Sequence, residues 1–152
     1  SLEARVLITG CNGTRKLPIE EFFLSPGKTK LETGELIEGF SLLLRKTRGD
    51  FLKLGERRAH AISKINMAVS TWNDGRDHWR IAMGSVAPTV LRCQEAEELL
   101  EKAVSKDDDL LNQAAELACN TARPISDLRS TSTYRKKMAG VLLKRCLESL
   151  TK

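Results

Sequence analysis

Aromatic residues make up only 5% of this 152-residue chain, and that scarcity removes one class of function. A protein that grips single-stranded nucleic acid needs aromatic faces interleaved with cations for bases to stack on. Here 25 Lys and Arg are spread among 20 Asp and Glu, so the net charge of +5 reads as a solvated surface, and no nucleic acid is expected. Long apolar runs are also missing. None approaches the roughly 20 residues that cross a bilayer, and no charged-then-apolar leader opens the chain; no membrane span is expected, and the chain reads as cytoplasmic. Cysteine is sparse, at positions 11, 93, 119 and 146, with no CxxC spacing. That argues against a zinc framework and against iron–sulfur ligation by this chain, leaving free, mostly buried thiols. His60 and His78 lack an HxxxH or HExxH partner, so neither reads as a metal ligand. Each reads as a surface or hinge histidine.

Two glycine-containing segments invite a nucleotide reading and fail it. Ser25-Pro26-Gly27-Lys28-Thr29 contains Gly-Lys-Thr, but a phosphate loop requires glycine five residues before Gly27, where Phe22 stands. Gly10-Cys11-Asn12-Gly13 lacks the third glycine and following helix of a dinucleotide fingerprint, and reads as a hairpin turn.

What is present falls into two parts. Residues 1–47 read as short elements: a strand over Arg5–Thr9, a proline-started helix from Pro18 to Phe23, and a strand over Glu35–Leu44. They are too few to hold a core alone and read as the trailing edge of a larger lobe. Residues 48–152 read as a complete α+β domain: a three-stranded antiparallel sheet packed with a three-helix bundle. Its strands are expected over Asp50–Arg57, Ala61–Trp72 and Trp79–Ser85, with the Asn73-Asp74-Gly75-Arg76 turn between the last two. Its helices are expected over Glu95–Ser105, from Asp107 to about Ala122, and from about Thr131 onward. The apolar stripe of the last is Tyr134, Met138, Val141, Leu142, Cys146 and Leu150.

Lys53 alternates with apolar neighbours in Phe51-Leu52-Lys53-Leu54, on a strand expected to be central or nearly so. A lysine there either escapes to solvent at an edge or meets a negative or carbonyl-rich partner, and the alternation leaves both open. In the last quarter, Arg123-Pro124-Ile125-Ser126-Asp127-Leu128-Arg129-Ser130 reads as an extended polar elbow feeding a terminal helix. Asp127 and Arg129 read as an elbow salt bridge or subunit contact, and Arg135-Lys136-Lys137 as a solvated face, with a docking surface for an acidic partner as the next reading.

Four segments in order, RKLPIEEFFLSPGKTKLETGELI, FLKLGERRAHAISKINMAV, RIAMGSVAPTVLRCQEAEELL and RPISDLRSTSTYRKKMAGVLLKR, resemble the C-terminal half of the FAD-binding (medium) subunit of molybdenum hydroxylases of the xanthine dehydrogenase and carbon monoxide dehydrogenase type. The resemblance implies that 1–47 is the remnant of an FAD-binding lobe and 48–152 a carbon monoxide dehydrogenase flavoprotein C-terminal-like domain. It implies an FAD-dependent oxidoreductase complex, in which electrons from iron–sulfur clusters reach an acceptor through FAD. The iron–sulfur subunit and the molybdopterin subunit are the implied partners, together with the missing N-terminal FAD lobe. By the same resemblance Ile37 of Glu35-Leu36-Ile37 packs on the isoalloxazine ring. Lys53 approaches its polar edge, where a cation stabilises anionic reduced flavin, and Lys28 is a further cofactor-binding candidate. No catalytic residue and no metal ligand is implied in this chain. The family's Ala-Gly-Gly-Thr and Gly-Gly-Asn elements, which cradle pyrophosphate and adenine, are absent from the 152 residues. FAD binding is therefore expected only with the missing lobe, and the fragment alone is expected to be inactive. A flavin-free interaction or assembly module of the same fold is the alternative.

Overall fold

The computed structural model describes residues 1–57 and 60–151. The chain divides into two compact units, Leu2–Arg45 and Lys46–Lys152, the latter also taking Ser1.

The smaller unit is built on a hairpin. β1 (Arg5–Gly10) and β2 (Gly13–Pro18) pair antiparallel, with Gly10 opposite Gly13 across the Cys11-Asn12 turn. Gly13 holds φ 106°, a conformation in which a Cβ is strained; the hairpin-turn reading of this segment holds. After the four-residue α1 (Ile19–Phe22), β3 (Phe23–Ser25) and β4 (Lys28–Thr29) form a separate two-stranded ribbon. Gly-Lys-Thr thus belongs to a hairpin, with Pro26-Gly27 supplying its turn and Gly27 at φ 72°. β5 (Leu36–Ser41) joins the other edge of β1, giving the order β2-β1-β5. Val6, Ile8 and Phe22 are buried, with Leu17, Ile19 and Leu31 packed against them. Sequence alternation missed β2, whose Arg15 and Lys16 carry no strand signature, and also missed the β3–β4 ribbon.

The larger unit is an antiparallel meander backed by helices. β6 (Arg48–Gly55), β7 (Ser63–Asn73) and β8 (Asp77–Gly84) are the three expected strands, and a two-residue β9 (Leu91–Arg92) extends the order to β6-β7-β8-β9. β6 is therefore an edge, not a central strand. α2 (Gln94–Lys102), α3 (Asp108–Thr121) and α4 (Ser132–Thr151) follow. The core takes Ile65, Met67 and Val69 from β7 and Ile81 and Met83 from β8, each at period two. Leu100, Ala114, Ala118, Leu143 and Leu147 close it from the helices.

Local chemistry sets the helix limits. The Asp107 carboxylate accepts from the Leu110 backbone N–H at 2.9 Å, capping α3. α2 stops at Lys102, short of the expected Ser105, so Val104 lies beyond the helix and is fully exposed. The buried face of α4 is Ala139, Gly140, Leu142, Leu143, Cys146, Leu147 and Leu150. It is rotated from the expected stripe, leaving Tyr134 exposed, because α4 packs against both α3 and the sheet strands β6 and β7. Two charges are buried, the second of them against expectation. Glu97 in α2 accepts from the Ile81 backbone N–H at 2.8 Å and from Arg92 Nε at 2.7 Å, joining helix to sheet. Arg135, read as part of a solvated basic run, is 3% exposed and reaches the Asp127 carboxylate at 2.5 Å.

Candidate functional site

Lys53 stands on the outward side of β6, where Leu52 and Leu54 turn toward the core and Phe51 and Lys53 toward solvent. Its ammonium is exposed and donates to the Ala61 carbonyl at 3.2 Å. Solvent and a carbonyl partner, the two outcomes that alternation left open, are both realised. Gly55 permits the approach: a Cβ there would lie 2.5 Å from the Ala61 Cβ. The ladder also shifts register at Leu54/Gly55, with Gly55 opposite Ser63. His60, beside Ala61, holds φ 51°, and its carbonyl accepts from Arg57 Nη2 at 3.1 Å. Arg58 and Ala59 of the quoted segment lie outside the described residues.

Ile37 lies on β5 directly across from Ile8 and remains 42% exposed. Its strand begins at a fixed point that spacing alone did not reveal. Glu35 receives Arg15 in a two-pronged pair, Nε to Oε1 and Nη2 to Oε2, both 2.7 Å. Its Oε2 also accepts the Glu32 backbone N–H at 2.8 Å. The hydrogen bonds from Arg15, then that from Glu32, hold the Glu35 carboxyl at about 2, against 4.5 for an ordinary glutamate. The acid was visible only as the first letter of Glu35-Leu36-Ile37; its partner Arg15 sits on a strand that alternation missed.

β5 also carries a row of uncovered apolar side chains. Leu36 and Phe40 on the strand, and Leu42, Leu43 and Leu44 after it, are all exposed. Lys28 is exposed on β4. Ile37 and Lys28 therefore lie in the smaller unit on different sheets, and Lys53 lies in the larger one.

His78, read as a surface or hinge histidine, is buried at 8% exposure in the β7–β8 hairpin and has a partner. Its Nε2 lies 2.8 Å from Asp74 Oδ1, and its ring stacks on Trp72 at 4.9 Å with planes 10° apart. The pair closes the β7–β8 hairpin, and the hydrogen bond from His78 holds the Asp74 carboxyl low. Among the described residues no group of His, Cys, Asp and Glu could hold a metal ion, and no helix is long and apolar enough to cross a membrane. All four cysteines are free thiols.

The family profile described as the CO dehydrogenase flavoprotein C-terminal domain matches residues 50–150. The carbon monoxide dehydrogenase medium chain of Hydrogenophaga pseudoflava is 33% identical, over 98% of this chain and 53% of that protein. The xanthine dehydrogenase FAD-binding subunit of Escherichia coli O157:H7 is 27% identical, over 95% of this chain and 51% of that protein. Among solved structures, the Hydrogenophaga pseudoflava carbon monoxide dehydrogenase lacking the Mo-pyranopterin moiety superposes with a TM-score of 0.86 at 32% identity. The match covers 97% of this chain and 52% of that one. The reconstituted CO dehydrogenase of Oligotropha carboxidovorans gives 0.87 at 28% identity, with the same shares of the two chains. The chain spans about half the length of the curated relatives it matches.

Proposed function

Because the chain belongs to the CO dehydrogenase flavoprotein C-terminal domain family, we propose that it is the C-terminal part of the flavin subunit of a molybdenum hydroxylase, covering one side of FAD. In this reading residues 1–47 are the end of the FAD-binding lobe and 48–152 the C-terminal domain. Iron–sulfur and molybdopterin subunits are the partners, working in the cytoplasm. The observation that carries the reading is likeness along nearly the whole chain to a medium chain and an FAD-binding subunit.

The residues fit a share of the cofactor. Lys53 offers an exposed ammonium held by one carbonyl, suited to negative charge at the polar edge of a flavin ring. Ile37 offers an exposed aliphatic face on a strand whose start is fixed by Glu35 and Arg15. Lys28 is a second exposed cation. The flavin, when bound, supplies the exchange of electrons between iron–sulfur clusters and an acceptor. This chain orients the ring and places a positive charge beside it. It has no glycine-rich cradle for pyrophosphate, so flavin affinity depends on the lobe that supplies one.

The test is expression together with whatever coding sequence lies immediately upstream, followed by visible flavin absorbance of the purified product. Bound flavin, lost when the upstream lobe is omitted, is expected. In the flavin-loaded complex Lys53→Ala is expected to slow reduction by roughly two- to fivefold, the scale of one exposed charge interaction. A colourless, well-folded complex refutes the reading and leaves an interaction module of the same fold.

A further inference from the structure

Exposed aliphatic side chains on a surface are ordinary when scattered singly. Ile125 and Leu128 are not ordinary in their setting. They are 71% and 105% exposed, three residues apart on the elbow between α3 and α4, and the elbow is fixed from several sides. The Asp127 carboxylate accepts from the backbone N–H of Arg129 at 2.9 Å and of Ser130 at 3.2 Å. It also accepts from Arg129 Nε at 3.0 Å and from Arg135 Nη2 at 2.5 Å. The main chain closes on itself, Asp127 N–H to the Ser130 carbonyl at 3.0 Å and the reverse at 3.2 Å. Ser126 Oγ accepts the Ser132 N–H at 2.8 Å, tying the turn to the start of α4. The Arg123 N–H donates to the Val86 carbonyl at 2.8 Å and Arg135 Nη1 to the Ser85 carbonyl at 3.5 Å, tying it to the loop after β8.

The result is a leucine at the tip of a turn that a buried guanidinium locks in place. A segment ordered in advance loses little conformational freedom on binding, which is how a small apolar contact becomes an anchor. Within the segment that carries it, the exposed charges are predominantly of one sign. Between residues 123 and 137, Arg123, Arg129, Lys136 and Lys137 are exposed, and the single carboxylate, Asp127, is engaged by Arg129 and Arg135. The complement of this surface is an apolar pocket bordered by carboxylates. Two aliphatic side chains on a tight turn bury much less apolar area in a bilayer than the helix face of an interfacial anchor; they suffice to fill a protein pocket.

We infer that the 123–130 elbow is a preformed docking surface for a protein partner that offers an apolar pocket with an acidic rim. The inference is independent of the flavin reading. It is tested by replacing Leu128, and separately Val104, with a photoreactive amino acid in the tagged full chain, purified with the proteins it assembles with in its own cell. Val104 is equally exposed but lies in the α2–α3 connection. Position 128 is expected to crosslink to one polypeptide, at a segment rich in Asp and Glu, and position 104 is not. Lys136→Glu with Lys137→Glu, folded as judged by far-UV circular dichroism, is expected to lower that yield about fivefold. Equal crosslinking from both positions, none from 128, or a yield insensitive to the charge reversal overturns the inference. So does capture of lipid, nucleic acid or a second copy of this chain.

Discussion

Gly140→Ala puts two opposed effects in one residue and tests the packing of the larger unit. In an isolated helix the change stabilises by about 1 kcal/mol, because glycine surrenders more backbone freedom on folding than alanine. In α4 the added Cβ would lie 2.7 Å from Cys119 Sγ and 2.8 Å from the Ala115 carbonyl oxygen, both on α3. Ordinary contact begins near 3.4 Å, so the gap is short by roughly 0.6 Å, and one of the two obstacles is helix backbone that no rotamer change removes. Overpacking of this kind costs about 1–3 kcal/mol, and the larger figures apply where backbone must move. The net expectation is a loss of about 1–2 kcal/mol, or a fall in Tm of roughly 4–10 °C for a domain of this size. The assay is thermal and urea unfolding of the full chain followed by far-UV circular dichroism. Adding Cys119→Ala removes the sulfur but not the carbonyl, so the double variant is expected to recover only part of the loss. An unchanged or raised Tm for Gly140→Ala would refute the argument that α3 and α4 are in contact at this point.

Two further outcomes follow from titration. Glu35 is held at about 2, below its ordinary 4.5, so its contribution to the smaller unit is complete above pH 4.5 and is lost as pH falls toward 2. Carboxyl NMR is expected to show that low value in the native chain and its return toward 4.5 in Arg15→Met; an unchanged value would show that Arg15 is not the cause. Among the thiols, burial pushes Cys146 up to about 12 and raises Cys93, whereas Cys11 is exposed on a turn. Maleimide at pH 8 is expected to label Cys11 promptly and Cys93 and Cys146 only after unfolding. Equal rates at all three would contradict the packing around α4.

Strand and helix placement in the larger unit was legible because its residues obey single periods. Ile65, Met67 and Val69 alternate, Asn73-Asp74-Gly75-Arg76 has the composition of a tight turn, and Asp107 sits where a cap belongs. Legibility failed where pairing is non-local. β2 is a strand because β1 is its partner, and nothing in Gly-Thr-Arg-Lys announces it. Glu97 and Arg135 are buried because Arg92 and Asp127 neutralise them; a pattern that scores charge as surface places both outside. The candidate residues Ile37, Lys53 and Lys28 came from family likeness. Periodicity could say of Lys53 only that a cation interrupts an apolar strand, and could say nothing of Arg15 clamping Glu35 beside Ile37.

The uncovered row on β5 bears on how this polypeptide behaves outside any assembly. The opposite edge of the same sheet, β2, carries Arg15, Lys16 and Pro18, residues that discourage another strand from adding. β5 offers Leu36, Ile37 and Phe40 with one glutamate, Glu38, and is followed by three leucines. With residues 1–152 by themselves it is therefore a template for indiscriminate strand addition and self-association. Handled alone, this stretch of chain is expected to be lost to self-association through β5 rather than through β2.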